Sequence, residues 1–371
     1  MKINFNRQKF AAAFTIAASA VPGRTPKDIL KNVCMTVSEG SIEFSATDQE
    51  IGIRVRVDDV ETCETGDVLL PTAKLAAILR ELTDETLELT IDDQNITVKS
   101  SSGKFRLLSE DPKEFPPVPE FSDKEYFQVA ASLFKRMIHR TAFATDSEST
   151  RYALAGMSIE FTDDAKVILI ATDSRRLSVA KSICERHGAR QVDMKTTVVP
   201  TKAMLMIERS VDPKVEQIDI AVHDNSVMFR SGNVTISSRL VEGRFPRWRD
   251  VIPQRQPIIV PLPVGPFFSA VRQSQIVTSE ESRGVDFTFH KAALTIRSSA
   301  ASIGESSIEL PIEYDHEKLA ITFDPKYVAD VLKVLGPETV VDLHLTDEDT
   351  AAVLTVDDSY TYVIMPLAKD R

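Results

Sequence analysis

Pro71-Thr72-Ala73-Lys74-Leu75 returns as Pro200-Thr201-Lys202-Ala203-Met204 and again as Asp324-Pro325-Lys326-Tyr327-Val328. Each stretch reads as a proline at or just before the first turn of a helix. A missing N–H is harmless there, because first-turn donors have no intrahelical partner. The copies recur at about 125 residues, and a chain of 371 residues is close to three such lengths. Two other markers keep the same phase. Ala46-Thr47-Asp48 returns as Ala171-Thr172-Asp173, and Phe115-Pro116 returns as Phe245-Pro246. Repetition at domain length argues for a modular architecture rather than one enzyme cleft.

Outward from these markers, hydrophobic spacing predicts six helices, roughly 7–20, 72–82, 131–143, 201–211, 264–278 and 325–335. Phe10, Phe14, Ala17, Ala18 and Val21 share one stripe of the first. Leu75, Ile78, Leu79 and Leu82 recur at helical spacing, as do Val328, Val331, Leu332 and Leu335. Between helices lie alternating strands, among them Leu87, Leu89 and Ile91, then Val234-Thr235-Ile236, then Val341, Leu343 and Leu345. Turns such as Ser101-Ser102-Gly103 and Ser231-Gly232-Asn233 separate them. Each copy is therefore α+β, an antiparallel sheet with two helices on one face. Proline-rich links, Phe115-Pro116-Pro117-Val118-Pro119 and the stretch from Pro253 to Pro257, set the boundaries. They give repeat one as 1–121, repeat two as 126–253 and repeat three as 257–371, joined stiffly.

The formal charge of −11 argues at first against nucleic acid. Its distribution argues otherwise. The six predicted helices hold twelve Lys and Arg against Glu81, Glu208 and Asp330, a net of +9, which leaves −20 for the rest. Chance enrichment of good helix formers is the alternative. Glu favours helices as much as Lys or Arg, however, and is nearly absent from these. The sorting favours a basic functional surface on the helices.

No stretch of about 18 apolar residues is present to span a membrane, and Met1-Lys2-Ile3-Asn4-Phe5 has no signal-peptide core. Cys34, Cys63 and Cys184 are odd in number and scattered, as expected of reduced thiols in a cytoplasm. No nucleophile elbow or phosphate-binding glycine loop occurs. Cys184-Glu185-Arg186-His187 lacks the second pair a zinc site needs, and Asp92-Asp93 and Asp347-Glu348-Asp349 read as solvated turns. The expectation is a non-catalytic protein with no cofactor and no metal.

Several segments together resemble the bacterial DNA polymerase III beta subunit, the sliding-clamp family, over essentially the whole chain. They are Thr150-Arg151-Tyr152-Ala153-Leu154, Ala171-Thr172-Asp173-Ser174-Arg175-Arg176-Leu177, Val241-Glu242-Gly243-Arg244-Phe245-Pro246, Ser282-Arg283-Gly284-Val285 and Tyr362-Val363-Ile364-Met365-Pro366-Leu367. The resemblance implies three clamp domains per chain and a head-to-tail homodimer closed into a ring, helices inside and sheets outside. It implies a cytoplasmic processivity factor for DNA replication that encircles duplex DNA without reading sequence and slides on it. Twelve helices, at about 10 Å of width each, would line a circle of roughly 120 Å, about 38 Å across.

By the same resemblance, Arg24, Lys74, Arg151, Tyr152 and Lys202 would contact DNA, with Lys74 placed either on the inner wall or at the interface. Phe105 and Leu107 would meet Ile276 and Val277 of a second copy, although alternation alone reads all four as core. A partner pocket would use Leu154, Thr172, Arg175, Leu177, Pro246, Val251, Val363, Met365, Pro366 and Leu367. Short peptides from the replicative polymerase, the clamp loader and repair or translesion proteins would insert apolar anchors there. Two features depart from the family pattern: Ser174-Arg175 stands where Gly and then His or Tyr are common, and Ala368-Lys369-Asp370-Arg371 extends the C-terminus. The competing readings are a scaffold that binds only proteins, which predicts no charge sorting, and a catalyst built on scattered carboxylates.

Overall fold

The computed structural model describes all residues except 59, 63, 93, 147, 149–151, 189–196, 280–282 and 368–371, and excludes the side chains of 61, 62 and 152. Repeat one runs β1 (Lys2–Asn6), α1 (Arg7–Ala18), β2 (Asn32–Ser38), β3 (Ser41–Thr47), β4 (Ile51–Asp58), β5 (Glu61–Thr62), β6 (Gly66–Pro71), α2 (Thr72–Glu81), β7 (Thr86–Asp92), β8 (Asn95–Lys99) and β9 (Lys104–Leu108). Repeat two runs β10 (Tyr126–Ala130), α3 (Ala131–Thr141), β11 (Gly156–Phe161), β12 (Lys166–Thr172), β13 (Arg176–Ile183), β14 (Glu185–His187), β15 (Thr197–Pro200), α4 (Thr201–Ser210), β16 (Gln217–Val222), β17 (Ser226–Ser231) and β18 (Val234–Arg239). Repeat three runs β19 (Ile258–Pro263), α5 (Val264–Ser274), β20 (Val285–His290), β21 (Ala293–Ala300), β22 (Gly304–Pro311), β23 (Leu319–Phe323), α6 (Pro325–Lys333), β24 (Val340–Leu345), β25 (Ala352–Val356) and β26 (Tyr360–Ile364). The predicted helices all form. The windows 131–143 and 264–278 finish in 3-10 turns, Ala142–Ala144 and Gln275–Val277, rather than in α-helix.

The hydrogen-bonded order is the same three times. Strands run β6-β2-β3-β4, then β15-β11-β12-β13, then β23-β20-β21-β22, and the companion sets run β1-β7-β8-β9, β10-β16-β17-β18 and β19-β24-β25-β26. Every pairing is antiparallel, which short turns permit. The sheets then continue from one repeat into the next. β18 pairs with β4, Ser237 opposite Gly52, and β26 pairs with β13, Val363 opposite Leu177. Packing accordingly divides the chain into two compact units. One comprises Met1–Lys135, Cys184–Gln191 and Lys202–Leu240; the other comprises Arg136–Ile183, Val192–Thr201 and Val241–Arg371. The middle repeat contributes a sheet to each, because strand pairing outweighs chain order.

Within the first unit, Phe10 and Phe14 of α1 meet Phe44 of β3 edge-on, at 4.8 and 5.9 Å between ring centroids. Within the second, Phe287 stands edge-on to Phe267 of α5 and Phe323 of β23. Burial of such a ring contributes about 1.5–3 kcal/mol. Asn6 caps α1 by accepting the Lys9 N–H, and Asp324 caps α6 by accepting that of Lys326.

The repeated Ala-Thr-Asp is a built turn. Asp48 Oδ1 accepts the N–H groups of Glu50 and Ile51, and Asp173 Oδ1 accepts those of Arg175 and Arg176. The residue after each aspartate, Gln49 or Ser174, takes a left-handed φ of 78° or 73°. The first linker is also fixed. Arg54 donates to the Val118 carbonyl at 2.6 Å and to Glu120 at 2.6 Å, and Val118 seals the β4 surface at Gly52. A Cβ on Gly52 would stand 2.8 Å from Val118 Cγ1.

Candidate partner pocket and basic helix faces

Of the residues expected to form a partner pocket, Thr172, Leu177 and Val363 lie side by side on one face of the eight-stranded sheet in the second unit. Alternation sends Leu177 and Val179 of β13 to one side and Arg176 and Ser178 to the other. Leu177 lies between Thr172 of β12 and Val363 of β26, and Val363 lies beside Val353 of β25. Leu177, Val179, Val363 and Val353 form an apolar floor with Ile168 and Ile170, and Phe245 and Trp248 cover part of it. Met365 continues the line; its N–H donates to the Arg175 carbonyl at 3.0 Å. Buried floor and uncovered rim therefore meet here, with Met365 46% exposed and Val251 51% exposed. Pro246 and Arg175 are exposed, and Pro366 and Leu367 are half-buried. Thr172 is buried and donates to the Arg176 carbonyl. Leu154 is buried in a short turn before β11, apart from the floor cluster.

Two supports were not legible in the sequence. Trp248, the chain's single tryptophan, donates its indole N–H to Glu160 at 2.8 Å, and Arg249 stacks on the ring at 4.1 Å while pairing with Glu160. A lone tryptophan two residues after the Phe-Pro marker was the available signal. Arg176, on the opposite side of the sheet from the floor, is a buried strut. It donates to Asp173 at 2.9 Å, to Asp330 of α6 at 2.6 Å and to the Phe143 carbonyl at 2.8 Å. Its guanidinium also lies over the Tyr327 and Phe143 rings.

The helix cations divide into two groups. Arg7 donates to the carbonyls of Leu79 and Asp84 at the C-terminal end of α2, and Lys135 donates to the Val211 carbonyl just past α4. Both sit where a helix end favours positive charge. Arg140 is half-buried against the Tyr360 ring, and burial and nearby Arg136 lower its pKa. Lys9, Lys74, Arg80, Arg136, Lys202, Arg209, Arg272, Lys326 and Lys333 are exposed. Arg24 is exposed in the loop after α1, and Lys74 in the first turn of α2. Lys202 opens α4 and is ion-paired with Asp48. Arg151, the Tyr152 side chain, Cys63 and the tail 368–371 lie outside the described residues.

Phe105 and Leu107 sit on β9, opposite buried Val98 and Ile96. There they carry the sheet's apolar face to an edge where cover runs out, leaving Phe105 37% exposed. Ile276 and Val277 sit in the turn after α5, which packs on β21 and β22. β22 is likewise an edge, and its Ile308 and Leu310 extend the face of buried Ile296 and Leu294. The outward faces carry opposite charge, Lys104 and Arg106 on β9 against Glu305 and Glu309 on β22.

Residues 1–119, 128–247 and 249–368 match, in order, the N-terminal, central and C-terminal domains of the DNA polymerase III beta subunit. The chain belongs to that family. It is 27% identical over 370 residues to the beta sliding clamp of Pseudomonas aeruginosa, covering 99% of this chain and 100% of the other. It is 28% identical over 378 residues to that of Staphylococcus epidermidis, covering 99% of each. The crystal structure of the P. aeruginosa sliding clamp bound to griselimycin superposes with a TM-score of 0.92 at 26% identity, over all of both chains. That of the Bartonella birtlesii clamp, also bound to griselimycin, superposes at 0.90 and 25% identity, again over all of both chains. Sliding clamps of this family are non-catalytic processivity factors of DNA replication, and the three clamp domains here share their fold. No helix among the described residues is long and apolar enough to cross a membrane.

Proposed function

We propose that this chain is a DNA polymerase processivity factor that works as a head-to-tail homodimeric ring. The ring encircles duplex DNA, slides on it, and tethers the replicative polymerase and other partners through peptides seated on the Leu177–Val363 floor. The clamp repeats are 1–121, 126–253 and 257–371.

One observation carries this reading. The chain solves the same edge problem twice, joining β4 to β18 and β13 to β26, and leaves the outer edges of the equivalent strands β22 and β9 without a strand partner among the described residues. A second copy supplies what each lacks. Antiparallel pairing of β9 with a partner's β22 that matches the two half-covered apolar faces also sets the Lys104 and Arg106 face against the Glu305 and Glu309 face. β19, by contrast, carries Pro261 and Pro263, residues that blunt an edge against strand addition. A heterologous contact of this kind closes into a ring when the rotation fits.

The exposed helix cations support contact with phosphate, which positions a protein without reading bases. Enclosure rather than tight grip would hold the DNA, and the diversion of Arg7, Lys135 and Asp48-paired Lys202 from phosphate suits a weak hold. Griselimycin-bound relatives support a ligand site in clamps of this fold.

The test is retention on nicked circular DNA after loading. The protein should stay on the circle and leave when the circle is cut. Equal loss from both forms would refute enclosure, and a monomer at micromolar concentration would refute the ring.

A further inference from the structure

The two junctions where one repeat's sheet continues into the next share a register and differ in what fills them. At the first, Gly52 of β4 lies between Thr47 and Ser237, with Met228 beyond Ser237. At the second, Leu177, Thr172, Val363 and Val353 hold the corresponding positions. The linkers correspond as well, because Val118 stands three residues after Phe115 and Trp248 three after Phe245. Leu177 fills its own position, and Trp248 is held to one side by Glu160 of β11. Gly52 has no side chain, and the first linker lies directly on it.

A Cβ on Gly52 would stand 2.8 Å from Val118 Cγ1 and 2.8 Å from Ser237 Oγ, so only glycine leaves the notch that Val118 fills. Val118 is 7% exposed there. Arg54, at the register position of Val179, clamps the segment. It donates to the Val118 carbonyl and to the Glu120 carboxylate, at 2.6 Å each, and pairs with Glu43. The linker is pinned again on either side. Glu110 accepts from Asn32 of β2 at 3.0 Å, and the Arg230 guanidinium of β17 lies over the Phe121 ring at 4.3 Å. It therefore runs as a strap across the first unit's nine-stranded sheet, over the β4–β18 junction. Pro116, Pro117 and Pro119 favour an extended backbone, which lowers the ordering cost of docking.

We propose that residues 115–120 are a built-in ligand that closes the first junction and keeps partner peptides from it. The notch and Arg54 define what the covered groove accepts: an extended segment with an aliphatic side chain, followed two residues on by a carboxylate. Val118-Pro119-Glu120 is that segment. Closure rests on contacts within the first unit, and its consequence for partners rests on the function proposed above.

The experiment uses the full-length protein and a fluorescent peptide of residues 115–121, followed by anisotropy. In wild type the tethered strap competes at an effective concentration of about millimolar, so the free peptide should not bind below that. Val118→Gly with Glu120→Gln weakens the tethered copy. The peptide should then bind about tenfold more tightly or better, the scale of one buried aliphatic side chain. Gly52→Leu added to that variant should abolish binding, and so should Val118→Gly within the peptide. Equal affinity for wild type and the double variant would overturn the proposal, as would binding that survives Gly52→Leu, or no binding to a double variant that melts as a folded protein. Thiol labelling reads the same contact without weakening the strap's carboxylate. Mapped by peptide, Val118→Cys should react with maleimide about tenfold more slowly than exposed Pro119→Cys, and Arg54→Ala should bring the two rates together. Equal rates with Arg54 in place would overturn closure whether or not the double variant folds. Neither measurement uses a partner peptide, so the proposed function can fail separately.

Discussion

Asp48 and Lys202 form an ion pair across 154 residues of sequence, joining the first repeat's β3–β4 turn to the start of α4. Asp48 uses its other oxygen to hold that turn, so it is not free to swing away. A lysine in the first turn of a helix opposes the helix dipole, and the carboxylate offsets this.

Asp48→Asn should release Lys202 to phosphate while keeping the turn's backbone hydrogen bonds. Loaded protein should then leave linear DNA more slowly, and the salt dependence of binding should steepen by about one phosphate contact, near 0.9 in slope. A salt slope equal to that of wild type would show that Lys202 does not reach phosphate.

Arg176 joins Asp173 and Asp330 inside the second unit. Arg176→Ala strands two carboxylates and opens a gap between the Phe143 and Tyr327 rings. Removing one partner of such a buried pair costs about 3–5 kcal/mol. A thermal melt should fall markedly, whereas Arg175→Ala, one residue away and exposed, should melt as wild type does.

Lys104, Arg106, Glu305 and Glu309 make no ion pair within this chain among the described residues. If β9 meets a partner's β22, then Glu305→Lys with Glu309→Lys sets like charges face to face. Sedimentation should show monomers, and adding Lys104→Glu with Arg106→Glu should restore dimers. Failure of the fourfold variant to re-dimerise would count against this pairing.

Cys34 is buried in β2, and burial, with Asp67 nearby, pushes its thiol up to about 11. Only the thiolate attacks alkylating reagents, and little forms at neutral pH. Peptide mapping should find Cys34 unmodified by iodoacetamide in the native protein and modified in denaturant. Ready native labelling at pH 7 would mean that β2 opens.

The repeated topology was readable because its signals are local. Proline at a first turn, apolar spacing along each helix and a Thr-Asp turn all act within a few residues, so Pro71, Leu75 and Asp48 announce their elements directly. The overrun past Thr141 and Ser274 has the same origin: apolar spacing continues into a 3-10 turn without a local stop. The pocket was partly readable. Leu177, Val363 and Met365 follow from resemblance, but Trp248 and Glu160 meet only when separate strands and loops are brought together.

By itself the sequence determined the number of repeats, their helices and strands, and the gathering of Lys and Arg onto the helices. Tertiary structure alone decided which of those cations remain unengaged, since Arg7 turns to the end of α2 and Lys202 pairs with Asp48. It also decided which strands are left at a sheet edge. Backbone hydrogen bonding between distant strands leaves no trace in local composition, so β9 and β22 look like β18 and β4 until the sheets assemble.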